Sequence, residues 1–572
     1  MKIRSFPVNN IEDDLSQDLH PMLRAIFLHR NISCHEQLNT GMDALANFHS
    51  LKGIGDAVAL LETALREQQR ILIVADFDAD GATSCALALR ALAMMGASDV
   101  HYVVPNRFEY GYGLTPEIVE VAAGYQPDLL VTVDNGISSI DGVAAARAKG
   151  IRVLITDHHL PAQQLPDANA IVNPNQPGDE FVSKNLAGVG VIFYVLLALR
   201  SSLRDRGWFD QQGIECPNLA TLLDIVALGT VADVVPLDQN NRVLVSQGIK
   251  RIRAGRCVAG IKALLEVANR PWQTLVAGDL GFTVGPRLNA AGRLEDMSLG
   301  IECLLTDDPQ RARELAQQLQ DLNLQRRQIE GDMKVQAEEI LSHLNMVQAS
   351  APRGLCLYDK DWHQGVIGIL ASRIKEQYHR PVIIFADGDE GMIKGSARSI
   401  AGFHIRDALD QVASRHPDLI SKFGGHAMAA GLSIRYAELD RFTCVFNEIA
   451  CEHLKSEDLE GHILSDGHLD IADLDINFAE QLEQAGPWGQ CFSEPCFDND
   501  FIILNQRVVG EKHLKLVVAH PDHPAQAIDA IAFNQAPMPT NVQQARLAYR
   551  LTVNEFRGVR KVQLNVEAVL LG

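Results

Sequence analysis

The sequence predicts an α/β protein: two α/β domains joined by a long helix, followed by a small β-barrel. Three observations carry that prediction. Short β-branched runs alternate with helical stretches between residues 70 and 160, and the alternation resumes between 350 and 450. A helical periodicity of about 35 residues, far above the usual mean, opens at Asp308-Pro309. Five short apolar runs, separated by turn residues, occupy the C-terminal stretch from residue 460 onward.

A length of 572 residues implies three or four domains, and 47% apolar residues allow each to bury a core. The formal net charge of −21 excludes a surface coated in basic residues and argues weakly against nucleic acid as a partner, while leaving room for a local basic channel. Ten cysteines show no CxxC pair and no framework spacing, which fits reduced thiols in a cytosolic protein. The stretch Met1-Lys2-Ile3-Arg4-Ser5-Phe6-Pro7 lacks an apolar h-region, and the apolar run 189–199 is too short to span a membrane. The expectation is a soluble, cytoplasmic protein without a membrane partner.

Taken in order, Ile71–Ala75 reads as a strand, 84–95 as an Ala- and Leu-rich helix, and 100–104 as a strand. Residues 115–123 read as a helix with Pro116 at its favoured first position. Leu129–Val133 is a strand, 140–149 a helix and Arg152–Thr156 a strand. This pattern predicts a parallel, doubly wound sheet, and such sheets bind ligands at the carboxyl ends of their strands. After residue 185 the chain reads as mainly helical. In the long helix, Leu315, Leu319, Leu322, Ile329, Met333, Ile340 and Leu344 keep a helical spacing, with Gln and Arg on the other face, as in a spacer between domains. The second α/β region has strands at 354–358 and 382–385 around a helix at 365–377, and two glycine-containing loops at 394–399 and 423–431. The last strands fall at 501–504, 514–518, 528–533, 548–553 and 562–569, a pattern that suggests an OB-like barrel.

The strand-end rule gathers the chemistry. Asp76-Phe77-Asp78-Ala79-Asp80-Gly81 follows the first strand, Asn106-Arg107 the second, Asp134-Asn135-Gly136 the third and Asp157-His158-His159 the fourth. Any one Asp there could be a helix N-cap, but three acidic clusters on one sheet edge demand positive charge. Asp233, inside the run Thr230-Val231-Ala232-Asp233-Val234-Val235, also needs a partner. The resulting set is Asp78, Asp80, Asp134, Asp157, His158, His159 and Asp233. It is rich in carboxylates and therefore suits Mg²⁺ or Mn²⁺, with the imidazoles favouring Mn²⁺. It holds too many carboxylates for one ion. Two divalent cations bridged by a shared Asp would use them, and phosphoester hydrolysis is the natural reaction.

These motifs occur in the order and context of the DHH phosphoesterase superfamily, which the chain resembles over almost its whole length. Gly285-Pro286-Arg287-Leu288-Asn289-Ala290-Ala291-Gly292-Arg293 resembles the signature of that superfamily's single-strand-specific 5′→3′ DNA exonucleases. Gly424-Gly425-His426 followed by Ala427-Met428-Ala429-Ala430-Gly431 is similar to the DHH-associated domain. The resemblance implies an N-terminal segment at 1–50 and a parallel-sheet DHH catalytic domain at 51–305. A connecting helix at 306–346, a DHH-associated domain at 347–455 and an OB-fold-like nucleic-acid-binding domain at 456–572 follow. It implies metal ligation by Asp78, Asp80, Asp134, His158 and Asp233, with Asp134 as the bridge. Asp157 and His159 would orient ligands or the scissile phosphate, and Asp76 would support the site from behind. It places Arg287 and Asn289 on the substrate strand, and Ser396, Arg398 and Arg107 around the 5′-terminal phosphate, with the backbone at Gly425 and His426 able to approach a phosphate closely.

An acidic protein that tracks single-stranded DNA needs a local basic stripe. Residues 241–293 supply nine Lys or Arg (Arg242, Lys250, Arg251, Arg253, Arg256, Lys262, Arg270, Arg287, Arg293) against Glu266 and Asp279. The C-terminal barrel adds Arg546, Arg550, Arg557, Arg560 and Lys561 against Glu555. Tyr110, Tyr112, Trp362 and Phe403 are candidates for stacking on bases, although an aromatic is more often core. The implied function is degradation of single strands to mononucleotides in recombination and repair. Single-strand-binding protein and a helicase are the implied partners, and the chain is expected to be monomeric. Two competing readings are a phosphoesterase acting on oligonucleotides or cyclic dinucleotides, and a non-catalytic replication scaffold.

Overall fold

The computed structural model describes residues 2–7, 12–106, 113–343, 351–510, 512–539, 542–556 and 558–571. Arg107, Tyr110, Tyr112, Leu344 and Arg557 lie outside them. The chain divides into two compact units, one made of 1–4 with 323–463 and the other of 5–322 with 464–572.

The larger unit is organised by a five-stranded, all-parallel sheet in the order Val100–Val103, Ile71–Ala75, Leu129–Val133, Arg152–Thr156, Ala170–Val172. The residues of the Ile71–Ala75 and Leu129–Val133 strands are buried throughout, as expected of strands covered on both faces. Chain order reverses between these two strands. The carboxyl ends on either side of such a reversal splay apart and leave a crevice. Asp76 to Asp80 leave one of those ends and Asp134 leaves the other.

The helix expected at 84–95 begins earlier than its composition suggests. The helix runs Ala79–Met94, because the Asp78 carboxylate accepts the Asp80 and Gly81 amides at 2.9 and 3.0 Å and caps it. The acidic run therefore both ends a strand and opens a helix. A fifth strand, Ala170–Val172, escaped the sequence reading because three residues show no periodicity.

The C-terminal strands Phe497–Val509, His513–Ala519, Ala527–Ala532, Gln544–Phe556 and Val559–Leu570 close into a five-stranded barrel. They are longer than expected, and register shifts at Ile503/Asn505 and Ala548/Tyr549 supply bulges of the kind that bend strands. The barrel interior, including Phe497, Phe501, Leu547 and Tyr549, belongs to the same apolar core as the parallel-sheet region.

The connecting helix is Pro309–Ser342, 34 residues. Leu315, Leu319 and Leu322 are buried at its start, and Met333 and Leu341 nearer its end.

The smaller unit holds a five-stranded sheet ordered Lys422–Gly425, Ala429–Arg435, Met392–Arg398, Val382–Asp387, Leu355–Tyr358. Here the two expected loops are corrected: 394–399 and 423–431 contribute largely to paired antiparallel strands. Small residues there serve packing. Gly395 lies opposite both Phe385 and Leu432, and a Cβ on it would stand 2.6 Å from the Phe385 ring and 2.7 Å from a Leu432 methyl. Trp362 and Phe403 are likewise corrected as stacking candidates. They are 3% and 4% exposed; the Trp362 indole donates to Gln336 Oε1 at 2.7 Å, and Phe403 packs edge-on against Phe446.

Candidate metal centre

Five acidic side chains and two imidazoles converge where the strands reverse order. His158 Nε2 stands 3.1 Å from Asp134 Oδ1, 3.5 Å from Asp233 Oδ2 and 4.0 Å from Asp80 Oδ2. It is buried and makes no hydrogen bond. Three sets of ligand atoms lie within 4.8 Å of one another: Asp134–His158–His159, Asp80–His158–Asp233 and Asp76–Asp78–Asp134. An unbonded imidazole nitrogen among carboxylates fits a divalent cation, and sets that share Asp134 and His158 fit more than one. All five expected ligands belong to these sets. Asp76 and His159, expected only to support or orient, also lie within ligating reach. Asp157 lies in none of the sets.

The charges here oppose one another strongly. Two like charges about 4 Å apart cost on the order of 4 kcal/mol at an effective dielectric near 20. Burial first, then the Asp233 and Asp78 charges, push the Asp80 carboxyl up to about 7 against the pull of His158. Burial and Asp78 push Asp233 to about 8. Burial and the charges of Asp80, Asp78, Asp76 and Asp233 hold Asp134 well above the usual carboxylate range. Burial also lowers His158, helped by the charge of His159.

Local structure holds the groups in place despite this repulsion. The Gly188–Asp205 helix aims its first amides at Asp80: Gly188 N–H donates to Oδ2 at 2.6 Å and Val189 N–H to Oδ1 at 2.9 Å. A helix N-terminus stabilises a carboxylate by up to about 2 kcal/mol in partly buried geometries. Asp134 takes a left-handed backbone (φ +62°), a conformation that costs on the order of 1 kcal/mol and turns its side chain out of the strand line. Asn135 fastens that turn by donating to the Val74 and Val133 carbonyls at 3.1 and 2.9 Å.

Asp157 is the hub of the next strand end. It accepts the amides of Ile137, His158 and His159, and its Oδ1 lies 2.7 Å from His159 Nδ1. Burial would raise its pKa, but the His159 contact and the backbone donors outweigh it and hold the carboxyl low. The reciprocal effect lifts His159 to about 9 against burial. The contact with Nδ1 leaves the other ring nitrogen for the cluster.

Sequence reasoning missed several supports. Asn173 and Asn175, just beyond the Ala170–Val172 strand, donate to the carbonyls of His159 and His158 at 2.9 and 2.7 Å. The strand-end rule finds them once that strand is recognised. Gly188 had no sequence signal beyond its type, and Gly229 was visible only as the first residue of the run that ends at Asp233. A Cβ on Gly188 would stand 2.6 Å from Asp134 Cβ and 2.7 Å from its Oδ1; one on Gly229 would stand 2.2 Å from Thr83 Oγ1 and 3.0 Å from Asp80 Oδ1.

The expected DNA contacts divide. Asn289, on the Gly285–Leu294 helix, accepts the Ala79 amide at 2.8 Å, which ties that helix to the acidic loop. Arg287 donates to the Thr283 carbonyl one turn back. Arg242 is corrected as a DNA contact: it is buried, donates to Leu237 and Gln37 carbonyls and lies over Phe492. In the barrel, Arg546 pairs with Asp498, Arg550 with Glu494 and Glu567, and Arg560 with Glu480, so three of the expected five cations are held in ion pairs. In the smaller unit Arg398 donates to Ser396 Oγ at 3.3 Å, and both lie against Gly368 in the first turn of the Ile367–Tyr378 helix. Burial lowers the Arg398 pKa. Gly425 ends a strand, and His426, exposed in the following turn, donates its amide to the Ala429 carbonyl at 2.7 Å.

Residues 70–230 match the DHH family, N-terminal domain; residues 351–452 match the DHHA1 domain; residues 465–568 match the RecJ OB domain. The chain is 53% identical to the single-stranded-DNA-specific exonuclease RecJ of Dickeya dadantii, over 97% of each chain. The crystal structure of RecJ from Thermus thermophilus in complex with Mn²⁺ is similar with a TM-score of 0.80 at 29% identity, over 100% of this chain and 79% of that one. The corresponding Mg²⁺ complex gives a TM-score of 0.73 at 28% identity, over 100% of this chain and 78% of that one.

Replacing Gly188→Ala forces the Asp134 side chain aside. Misplacing a reacting group by about 1 Å costs on the order of 100-fold. The variant is expected to keep its far-UV circular dichroism and lose turnover on that scale; wild-type turnover from it would show that Asp134 tolerates displacement. Metal linkage has a sign that can be checked by melting. Asp80 and Asp233 have folded pKa values raised to about 7 and 8, so their contribution to stability is complete below their unfolded pKa and is lost as pH rises through 7 to 8. Cations compete with fewer protons at pH 8 than at pH 6. Added Mn²⁺ should therefore raise the melting temperature more at pH 8, and an equal rise at both would contradict the assignment.

Proposed function

Because this chain belongs to the RecJ family of single-stranded-DNA-specific exonucleases, we infer that it hydrolyses single-stranded DNA from an end, with Mn²⁺ or Mg²⁺ as cofactor. The observation that carries this reading is the convergence of three ligand sets, linked through Asp134 in two and His158 in two, at the point where the parallel sheet reverses order.

In the proposed mechanism Asp78, Asp80, Asp134, His158 and Asp233 hold two divalent cations, with Asp134 common to both and Asp76 and His159 within reach. When bound, such a pair lowers the pKa of water and neutralises charge on a phosphoryl oxygen. The chain's own residues do the rest. The first amides of the Gly188–Asp205 helix hold Asp80. Asp157 fixes the ring of His159, and Asn173 and Asn175 hold the turn that carries both imidazoles. Asn289 keeps the acidic loop in register with the helix bearing Arg287, which would lie along the strand. Intact ligand sets disfavour a non-catalytic scaffold.

Finer features are part of the same proposal. Degradation runs 5′→3′ to mononucleotides, with Ser396 and Arg398 taking the 5′-terminal phosphate, Gly425 and His426 serving the same role, and Arg107 a further phosphate contact. A desolvated guanidinium next to a hydroxyl is a suitable phosphate partner. The protein acts in recombination and repair in the cytoplasm as a monomer, alongside single-strand-binding protein and a helicase. Among the described residues no helix is long and apolar enough to cross a membrane.

Incubating the purified protein with Mn²⁺ and 5′- or 3′-labelled single-stranded and duplex DNA tests this reading. Label should leave the 5′ end of single strands as mononucleotide, with duplex spared. Release from 3′ ends would overturn the polarity, and no cleavage of any strand would overturn the activity.

A further inference from the structure

Phe282 is 89% exposed on the π-helical turn Leu280–Val284, a kind of turn frequent at functional sites. A fully solvated phenyl ring on ordered backbone gains nothing for the fold. Its neighbours fix its place. A Cβ on Gly281 would stand 3.2 Å from Val231 Cγ1, and one on Gly285 would stand 3.0 Å from Ala232 Cβ. Val231 and Ala232 are the last residues before Asp233, so Phe282 projects from a segment seated on the strut that presents a metal ligand.

Two more exposed apolar side chains adjoin site residues. Val234, 61% exposed, follows Asp233 and takes a left-handed backbone (φ +61°), a true outlier for a β-branched residue. Leu160, 59% exposed, follows His159. Two exposed apolar side chains thus directly follow site residues, and Phe282 is carried on the turn packed against the two residues before Asp233. The charged centre takes phosphate, which leaves a base beside that phosphate in need of an apolar surface. The face of a base is open to a protein ring only when the strand is single, and every base has one, whatever the sequence.

We infer that Phe282 is a stacking platform for a nucleobase next to the phosphate at the metal centre, with Val234 and Leu160 completing its apolar surround. The inference rests on the exonuclease reading and adds to it a source of preference for unpaired bases. It also moves the stacking role from Trp362 and Phe403, which are core, to a residue absent from the sequence candidates.

The test compares the parent protein with Phe282→Ala and Phe282→Trp, all loaded with Mn²⁺ and with probes whose linkages are hydrolysis-resistant phosphorothioates, so that turnover plays no part. The probes are a fluorescein-labelled oligothymidylate and the same strand carrying a run of abasic sites at its 5′ end. Removing one base–aromatic stack is expected to weaken oligothymidylate binding roughly tenfold in Phe282→Ala. Parent and Phe282→Ala should then bind the abasic strand equally. Phe282→Trp should retain tight binding, and its emission, above that of the four native tryptophans, should be quenched by oligothymidylate and little by the abasic strand. Equal base-to-abasic preference in parent and Phe282→Ala, or no selective quenching in Phe282→Trp, overturns the assignment. A separate hydrolysis assay with Mn²⁺ on the parent reports on the exonuclease reading itself, so the two failures are distinct.

Discussion

Mutual repulsion among the carboxylates at one sheet edge is the constraint around which the rest of the larger unit is arranged. Asp76, Asp78, Asp80, Asp134 and Asp233 cannot all ionise side by side in a buried crevice, and the raised pKa values of Asp80, Asp134 and Asp233 express that directly. A fold that keeps them together must supply positive potential. It does so in part, with the N-terminus of the Gly188–Asp205 helix on Asp80, the His158 imidazole among three carboxylates, and the His159 ring, which Asp157 lifts to about 9. Together these do not offset five carboxylates. The remaining deficit is what makes the site a receptor for cations.

Much of this was legible in the sequence, and the reason is periodicity. The strands Ile71–Ala75, Leu129–Val133 and Arg152–Thr156 are buried β-branched runs bounded by polar residues, and the strand-end rule then placed the acidic motifs correctly. What escaped detection had no periodic signal. Ala170–Val172 is too short to show one, and its loss hid Asn173 and Asn175. The antiparallel pair Met392–Arg398 and Ala429–Arg435 is rich in glycine and alanine, with Gly395 passing between Phe385 and Leu432, so the composition imitates loops. The role of Gly188 depends on Asp134, 54 positions earlier, and nothing local announces it.

Charge counting was the least transferable part of the reading. Arg242, Arg546, Arg550 and Arg560 looked like DNA contacts, yet each is engaged by carbonyls, carboxylates or an aromatic face in the fold. A guanidinium held by carboxylates or buried under an aromatic ring has little left to offer a phosphate. Exposure corrected the aromatics in the same way: Trp362 and Phe403 are buried, while Phe282 stands in solvent on the turn that packs against Val231 and Ala232. Asn289 shows a third pattern, in which a residue expected on the substrate also holds Ala79 and so sets the acidic loop against the Gly285–Leu294 helix.

The central claim is that the carboxylate cluster exists to hold a pair of cations through a shared Asp134. Equilibrium dialysis of the metal-free protein against Mn²⁺ at pH 8, with Asp134→Ala in parallel, tests it most directly. The account predicts two tightly held ions per chain in the parent and at most one, weakly held, in the variant, with the variant's melting temperature in EDTA equal to or above that of the parent. Parent and variant binding the same number of ions with the same affinity would contradict it.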